Sequence, residues 1–409
     1  MGRKKKPALS DLPLFRVAQE HTNKLTRLKA LMALEREPLG WRGLMAVPPD
    51  SVLDRTLTAF QVHTDIPLEI PFFTVMHVIS GMLLQRNVRI SVRGQMLNPD
   101  LWTIVLAESG NGKTFTNTVI RESMPEELRI QQGLGEVASA AKFVEELEKF
   151  NRTLWIKDEW AQLMKAVQQQ PHMCEMKEYF LKLHDGERIE RKTKKAEITI
   201  DNPALTILGL TVRSTFVKNI SAEDVLDGFS QRFGYVVAES DPERPMEDFP
   251  LYEYDKIVGS INRAWGDLKN LPIHEVYTVG DEGVSAFETA FKVLCGEFKK
   301  VEPSFFRRIL WRSMKYSLIY HILLGKETST IDTQDIAWAA RVARMHLADV
   351  RWLLDAYGMS ELEETIKRAE ILKAKYAESG QEFTTRALIS NIKTIRNVRD
   401  AQTILKFVE

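Results

Sequence analysis

Lys113 and Thr114 close a run of small residues, "AESGNGKT" from Ala107 to Thr114, which follows the apolar, strand-like segment "WTIVL". A glycine-rich turn between a strand and a helix can aim backbone N–H groups at a phosphate, because glycine has no Cβ to obstruct the approach. The usual pattern is Gly, four residues, then Gly-Lys-Ser/Thr. Gly112, Lys113 and Thr114 fit it, and Ala107 stands at the loop entrance in place of the first glycine. The expected nucleotide-binding residues are Ser109, Gly110, Asn111, Gly112, Lys113, Thr114 and Phe115. On this reading the loop holds a nucleotide. Lys113 reaches its β- and γ-phosphates, Thr114 ligates Mg²⁺, and the helix from Thr114 onward points its N-terminus at the anion. The bland alternative is an ordinary strand-to-helix turn.

A second stretch, "TLWIKDEW", carries an apolar run into Asp158 and Glu159, the form of a Walker B strand. Asp158 is the expected Mg²⁺ residue and Glu159 the expected activator of the attacking water. Lys157 interrupts the apolar run. A third run, "ALTILGL", ends at Thr211, which is expected to act as a sensor of the water or γ-phosphate. A cap on the next segment is the alternative for Thr211. In "LDGFSQRFGYVVAESD", Arg232 precedes a strand and is expected to reach a neighbouring subunit's nucleotide, where it would stabilise transition-state charge. A surface arginine is the alternative. Lys113, Glu159, Thr211 and Arg232 form the expected catalytic set.

These residues need a scaffold, and the pattern of the chain suggests one. Five β-rich runs, "LWTIVL", "ELRIQQ", "TLWIK", "ALTILGL" and "GYVVA", alternate with helical segments between about residues 100 and 240. That alternation predicts a parallel sheet with helices on both faces, an α/β fold. Residues 11 to 60 read as helical, and the chain turns helical again after about residue 262. The second long helical pattern there has a cap at Asp332 and a stop at Gly358. The apolar stretch Ile70–Leu84 is too short to span a bilayer and reads as a buried helix, with His77 a core residue. The last fifty residues read as short helices around a tight turn, either a helix-turn-helix or a helical cap.

Composition narrows the partners. The 409 residues carry 56 basic and 56 acidic side chains, so any nucleic-acid surface has to be a local patch. Two distant cysteines, Cys174 and Cys295, make neither a disulfide framework nor a zinc site. They fit a reducing, cytoplasmic compartment and are expected to be buried thiols. The basic N-terminus has no apolar segment behind it, so neither a signal nor a membrane anchor is expected.

The stretches "AESGNGKT", "LWIKDEW", "NPALTILGLTVRS" and "DGFSQRFGYVVAES" resemble the motifs of a helicase-like family of phages, plasmids and bacteria, often fused to or encoded beside primases. Their order also resembles the AAA+ core of MCM-type helicases. The resemblance covers roughly residues 50 to 350 and rests on motif order. It implies an AAA+ P-loop ATPase core with a five-stranded parallel sheet, flanked by helical N- and C-terminal regions. The implied division is 1–68, a helical region with a basic tail; 69–262, the ATPase core; 263–358, a helical lid; and 359–409, a helix-turn-helix or winged-helix-like region.

The resemblance also implies a β-hairpin between the acidic strand and the sensor strand, projecting into a ring's central channel. "RIERKTKKAEITI" alternates well enough to form it and offers Arg188, Arg191, Lys192, Lys194 and Lys195 to DNA phosphates. A solvated charged turn is the alternative, since Asp185, Glu187 and Glu190 offset part of the charge. A lid arginine, Arg308 or Arg312, is implied as a second sensor, and Arg386, Lys393, Arg396 and Arg399 fall in the C-terminal helices. The expected function is an ATP-driven, ring-shaped DNA helicase or translocase for a phage or other mobile element. It would be a homo-oligomer, a hexameric ring on single-stranded or forked DNA, with any primase or polymerase separately encoded. The alternatives are an ATP-dependent helicase loader that does not translocate and a nucleotide-gated DNA-binding scaffold.

Overall fold

The computed structural model describes residues 47–408 except 130–132, 193–196, 221–224, 226–227, 241–250, 300, 393 and 396. The basic tail, and with it residues 1–46 of the expected N-terminal region, lies outside the described residues. The chain divides into two compact units, residues 1–350 and 351–409.

In the first unit, α1 (Val52–His63) starts at Ser51, whose side chain accepts the Asp54 amide. The next helix, α2 (Glu69–Gln85), is buried along almost its whole length, as a helix apolar on every face has to be. His77 sits in it fully buried, as expected, with Nδ1 2.7 Å from the Phe73 carbonyl. A hairpin comes next, β1 (Arg89–Val92) and β2 (Gln95–Leu97), then β3 (Trp102–Ala107), all six of whose residues are buried.

Beyond the glycine-rich loop come α3 (Lys113–Ser123), α4 (Ala140–Lys149), β4 (Thr153–Lys157), α5 (Trp160–Gln169) and α6 (Glu175–Asp185). The strands β5 (Ile189–Lys192) and β6 (Glu197–Ile200) pair antiparallel as a hairpin, with Ile189 opposite Ile200 and Lys192 opposite Glu197. Next are β7 (Leu205–Val212), α7 (Arg213–Asn219), β8 (Gly234–Val237) and α8 (Tyr254–Asn270). The unit continues with β9 (Val276–Val279), α9 (Asp281–Glu297), α10 (Pro303–Leu323) and β10 (Thr330–Ile331). The helix α11 (Thr333–Glu378) precedes α12 (Thr385–Asn391) and α13 (Val398–Val408).

The main sheet has the order β4-β7-β3-β8, and every neighbouring pair is parallel. Four of the five expected β-rich runs supply it, so the fold is α/β. The described residues of the fifth, "ELRIQQ", do not join: Glu126–Leu128 form a 3₁₀ turn after Pro125, and residues 130–132 lie outside the described residues. The sheet therefore has four strands among the described residues, not five. A run with only two apolar residues lacks the continuous apolar character that a strand covered on both faces needs.

A second sheet, β10-β9-β1-β2, was not expected from the sequence. It pairs residues 89–91 with 276–278, and it interrupts a stretch that reads as wholly helical. Its strands have two to four residues, too few for a periodicity to register.

Asp332 caps α11 as expected, its Oδ1 accepting the Gln334 and Asp335 amides. Gly358 does not stop it: the helix runs on to Glu378. A glycine inside a helix costs only about 1 kcal/mol and does not end one that good helix formers continue. The fully buried His321 and Asp335 pair at 2.8 Å, and Lys326 Nζ joins Asp335 at the same distance, tying the end of α10 to the start of α11.

Cys174 and Cys295 are free but exposed, contrary to the expectation of buried thiols. Cys174 is held at a helix start, its Sγ 3.2 Å from the Gln170 carbonyl. No described helix is long and apolar enough to cross a membrane.

The second unit has its own small core of Ala369, Leu388, Ile392, Ile395, Ala401 and Ile404. Thr384 caps α12 through its side chain, and Asn397 Oδ1 accepts the Asp400 amide at the start of α13. Arg386 and Arg399 are exposed there, while Lys393 and Arg396 lie outside the described residues.

Candidate active site

All four strands of the main sheet end at one edge, because all are parallel. Loops leaving the carboxyl ends of such strands are where open α/β sheets hold ligands. The glycine-rich loop leaves β3 there, Asp158 and Glu159 leave β4, Arg213 leaves β7 and Glu239 lies just past β8. Strand order puts β7 between the loop strand and the acidic strand.

The loop needs its glycines for separate reasons. Gly110 (φ 88°) and Gly112 (φ 64°) both lie in the left-handed region. At Gly112 a Cβ would also fall 2.3 Å from Ile66 Cδ1. The first bond of α3 runs from the Thr116 amide to the Gly112 carbonyl at 2.8 Å. The amides of Lys113, Thr114 and Phe115 are thus left without an intrahelical acceptor at the positive end of the helix dipole. Lys113 Nζ donates to the Glu108 carbonyl at 3.1 Å, across its own loop. Asn111 Nδ2 is buried without a hydrogen-bond partner among the described residues. Ser109 and Thr114 are exposed. The Thr118 hydroxyl donates to the Thr114 carbonyl at 3.1 Å. Phe115 packs edge-on against Phe60, Tyr252 and Tyr254, with ring centroids 5.1–6.3 Å away. It anchors the first turn of α3.

The acidic pair is exposed, and its turn is fixed by the first residues of α5. Glu159 adopts φ 55°, ψ 38°, a left-handed conformation that a residue with a Cβ keeps only where its surroundings impose it. Asp158 Oδ1 accepts the Glu159 amide at 2.9 Å, and Glu159 Oε2 accepts from Gln162 at 3.0 Å. Trp160 is fully buried beside Trp155 and Phe233 and lies so close to β7 that a Cβ on Gly209 would come 2.6 Å from its ring. Lys157, the polar interruption of this strand, pairs with Glu136 at 2.7 Å.

Thr211 is fully buried, and its hydroxyl accepts the Ala161 amide at 3.4 Å. It braces the helix that begins after the acidic pair.

Arg232 is engaged within its own chain. Its Nη2 lies 2.5 Å from Asp185 Oδ2 and its Nη1 donates to the Gly228 carbonyl at 2.6 Å, leaving the side chain 12 % exposed. Burial pushes the Asp185 carboxyl up, but hydrogen bonds from His184 and Arg232 outweigh it and hold the group well below the usual carboxylate range. Burial beside Trp102 lowers His184 to about 4. Arg308 donates to Gln231 at 2.9 Å, next to the Arg232 turn, whereas Arg312 is buried and donates to the Arg232 carbonyl.

The hairpin exists, and the described basic residues of its stem are matched by acids. Arg188 pairs with Glu190 at 2.8 Å and Asp201 at 3.2 Å, and Lys192 with Glu197 at 2.6 Å. Arg191 pairs with Glu175 at 2.8 Å and donates to Tyr179, which fastens the hairpin to α6. Lys194 and Lys195 lie outside the described residues.

The structure therefore gathers the glycine-rich loop, Asp158 and Glu159 at one sheet edge, and puts Arg191 and Arg232 in contacts within the chain. Sequence reasoning passed over Glu108 and Arg213, whose guanidinium lies 2.5 Å from the Glu108 carboxylate. The available signal was the position of Arg213 just beyond the "ALTILGL" strand. Among the described residues, no group of three or more His, Cys, Asp or Glu side chains could hold a metal ion by itself. Comparison with known protein families and with curated proteins finds no match.

Proposed function

We propose that this chain is an ATPase of the AAA+ P-loop type, working as a ring-shaped motor on DNA. The observation that carries the nucleotide reading is the unsatisfied donor set at the sheet's carboxyl edge. The buried Asn111 Nδ2 lacks a partner among the described residues and the first amides of α3 have no intrahelical acceptor, beside a lysine whose Nζ sits only on its own loop. Such donors are costly to leave unmet and suit an anion with several oxygens.

In this reading Lys113 leaves the Glu108 carbonyl for the β- and γ-phosphates, and the loop amides take the remaining oxygens. Mg²⁺, bound with the nucleotide, would be held by Thr114 and Asp158 and would neutralise phosphate charge. Glu159, exposed at the edge and fixed in its turn by Trp160, orients water and accepts its proton. Thr211 keeps the helix after Glu159 in register through the Ala161 amide. Arg232 serves a neighbouring subunit after its pair with Asp185 opens. The motor reading rests on the hairpin between the acidic and sensor strands, with Lys194 and Lys195 between its two strands to meet DNA phosphates. A hexameric ring on single-stranded or forked DNA, in replication of a phage or other mobile element, is the assembly that the motif order favours.

The test is phosphate release with and without single-stranded DNA, alongside the native mass. The wild type is expected to hydrolyse ATP, faster with DNA, and Glu159→Gln to bind ATP without turnover. Hydrolysis by a strict monomer would remove the role of Arg232 in trans, and equal turnover in Glu159→Gln would remove the catalytic assignment. Turnover without forked-duplex unwinding would favour a loader.

A further inference from the structure

Arg213 is a cation at this edge that the roles assigned to Lys113, Thr114, Asp158, Glu159 and Arg232 leave without a task. Its place is set by strand pairing. Ala107 pairs with Val212, so the next residue on each chain, Glu108 and Arg213, leave the sheet side by side. The Arg213 guanidinium lies 2.5 Å from the Glu108 carboxylate and 3.5 Å from that of Glu239 beyond β8. Lys113 Nζ meets the same Glu108 at its carbonyl. Two cations from different elements thus converge on one residue of the phosphate loop.

We propose that Arg213 is a second phosphate-binding cation of this site, parked on the carboxylates of Glu108 and Glu239, which it exchanges for the terminal phosphate of a nucleoside triphosphate. The proposal rests on the phosphate-loop reading. A guanidinium presents a planar fork of donors that fits a carboxylate or a phosphate equally well, so one geometry serves both partners. The carboxylates are about half-exposed or more, at 45 % for Glu108 and 66 % for Glu239, and ion pairs of that exposure hold little energy. The exchange therefore meets small resistance. The side on which Arg213 stands decides which phosphate it meets. It leaves β7, between the loop strand and the strand of Asp158 and Glu159, where the reacting end of the nucleotide belongs. Glu108 then acts as a stand-in anion that holds the arginine in place until a triphosphate displaces it. A diphosphate has no group to take its place.

The experiment compares the affinities of a non-hydrolysable ATP analogue and ADP for the full chain by titration calorimetry. In the wild type the triphosphate is expected to bind more tightly. Arg213→Gln is expected to weaken the triphosphate about tenfold and leave ADP within about twofold. Glu108→Gln, which removes the competing charge, is expected to tighten the triphosphate severalfold. Arg213→Lys keeps the charge without the fork and is expected to fall between wild type and Gln, which covers the case of a poorly folded Gln variant. A wild-type ratio of triphosphate to diphosphate affinity in both Arg213 variants overturns the proposal. So does an equal loss of both nucleotides. Lys113→Ala separates the two levels: if it abolishes binding of both nucleotides while Arg213 variants keep the wild-type ratio, only the role of Arg213 falls. If it changes neither affinity, the phosphate-loop reading falls and takes this proposal with it.

Discussion

At the carboxyl edge of the main sheet, Asn111 Nδ2 has no partner among the described residues, Thr114 is exposed, and Asp158 and Glu159 face solvent. On the hairpin stem, Arg188, Arg191 and Lys192 are each matched by a carboxylate of the same chain. Polar groups satisfied internally hold a shape. Those left unsatisfied at a rigid edge are available to a ligand, and leaving them so costs stability that packing nearby has to offset. The basic count of the hairpin therefore overstates the charge that its described stem leaves unmatched, while the glycine-rich loop keeps open donors that its short sequence understates.

The comparison breaks most sharply at Lys113. Lys113→Ala is expected to lower ATP hydrolysis by at least about a hundredfold, the scale of losing one preorganised transition-state contact. Its melting temperature is expected to stay near wild type, since the Nζ bond spans only its own loop. Phosphate release and a thermal melt on the same preparation check both; a large fall in melting temperature would class Lys113 with the hairpin stem.

Gly112→Ala comes next, since it forces a Cβ against Ile66 and a strained φ together. A loss of about 1–3 kcal/mol is expected in a denaturant titration. Adding Ile66→Ala relieves only the steric part, so the pair is expected to recover some nucleotide binding but not all.

Within the hairpin, Arg188→Ala and Lys192→Ala are expected to change single-stranded DNA affinity by less than about twofold, because each charge is already matched. Lys194→Ala and Lys195→Ala are expected to lower the slope of log affinity against log salt by about 0.7 each. Equal effects from stem and tip, measured by fluorescence anisotropy across a salt series, would erase the distinction between them.

The smallest effect near neutral pH concerns two histidines, the fully buried His77 and the partly buried His184. Burial lowers His77 to about 3, and His184, beside the root of the hairpin, to about 4. Both bind protons more readily when the chain is unfolded, where His titrates near about 6.5. Stability is therefore expected to fall as pH drops below that value, by up to about 1.4 kcal/mol per pH unit for each histidine. The His184 contribution is spent by about pH 4 and that of His77 by about pH 3. Denaturant midpoints between pH 7 and 4.5 measure it, and His184→Gln is expected to flatten the slope.

Much of the main sheet was legible because "LWTIVL", "TLWIK", "ALTILGL" and "GYVVA" are apolar almost throughout, as strands covered on both faces must be. The glycine-rich loop and the acidic pair stood out because each follows such a run, and the structure puts both at the carboxyl edge of the sheet. What stayed hidden was set by partners distant in sequence. Residues 89–92 become a strand by pairing with residues 95–97 and 276–278, and no local pattern carries the distant pairing. Thr211 braces α5 because that helix begins within reach of its hydroxyl, and Arg232 pairs within the chain because α6 ends at Asp185. Arg213 was passed over because its neighbour Glu108 is adjacent only across paired strands.

Trp160 gives this molecule an optical probe of its own. Its indole is sealed from water, its Nε1 has no partner among the described residues, and it directly follows Glu159. Any motion of that turn which lets water reach the ring would shift its emission to longer wavelength. The difference spectrum against Trp160→Phe would time such a motion without an attached dye.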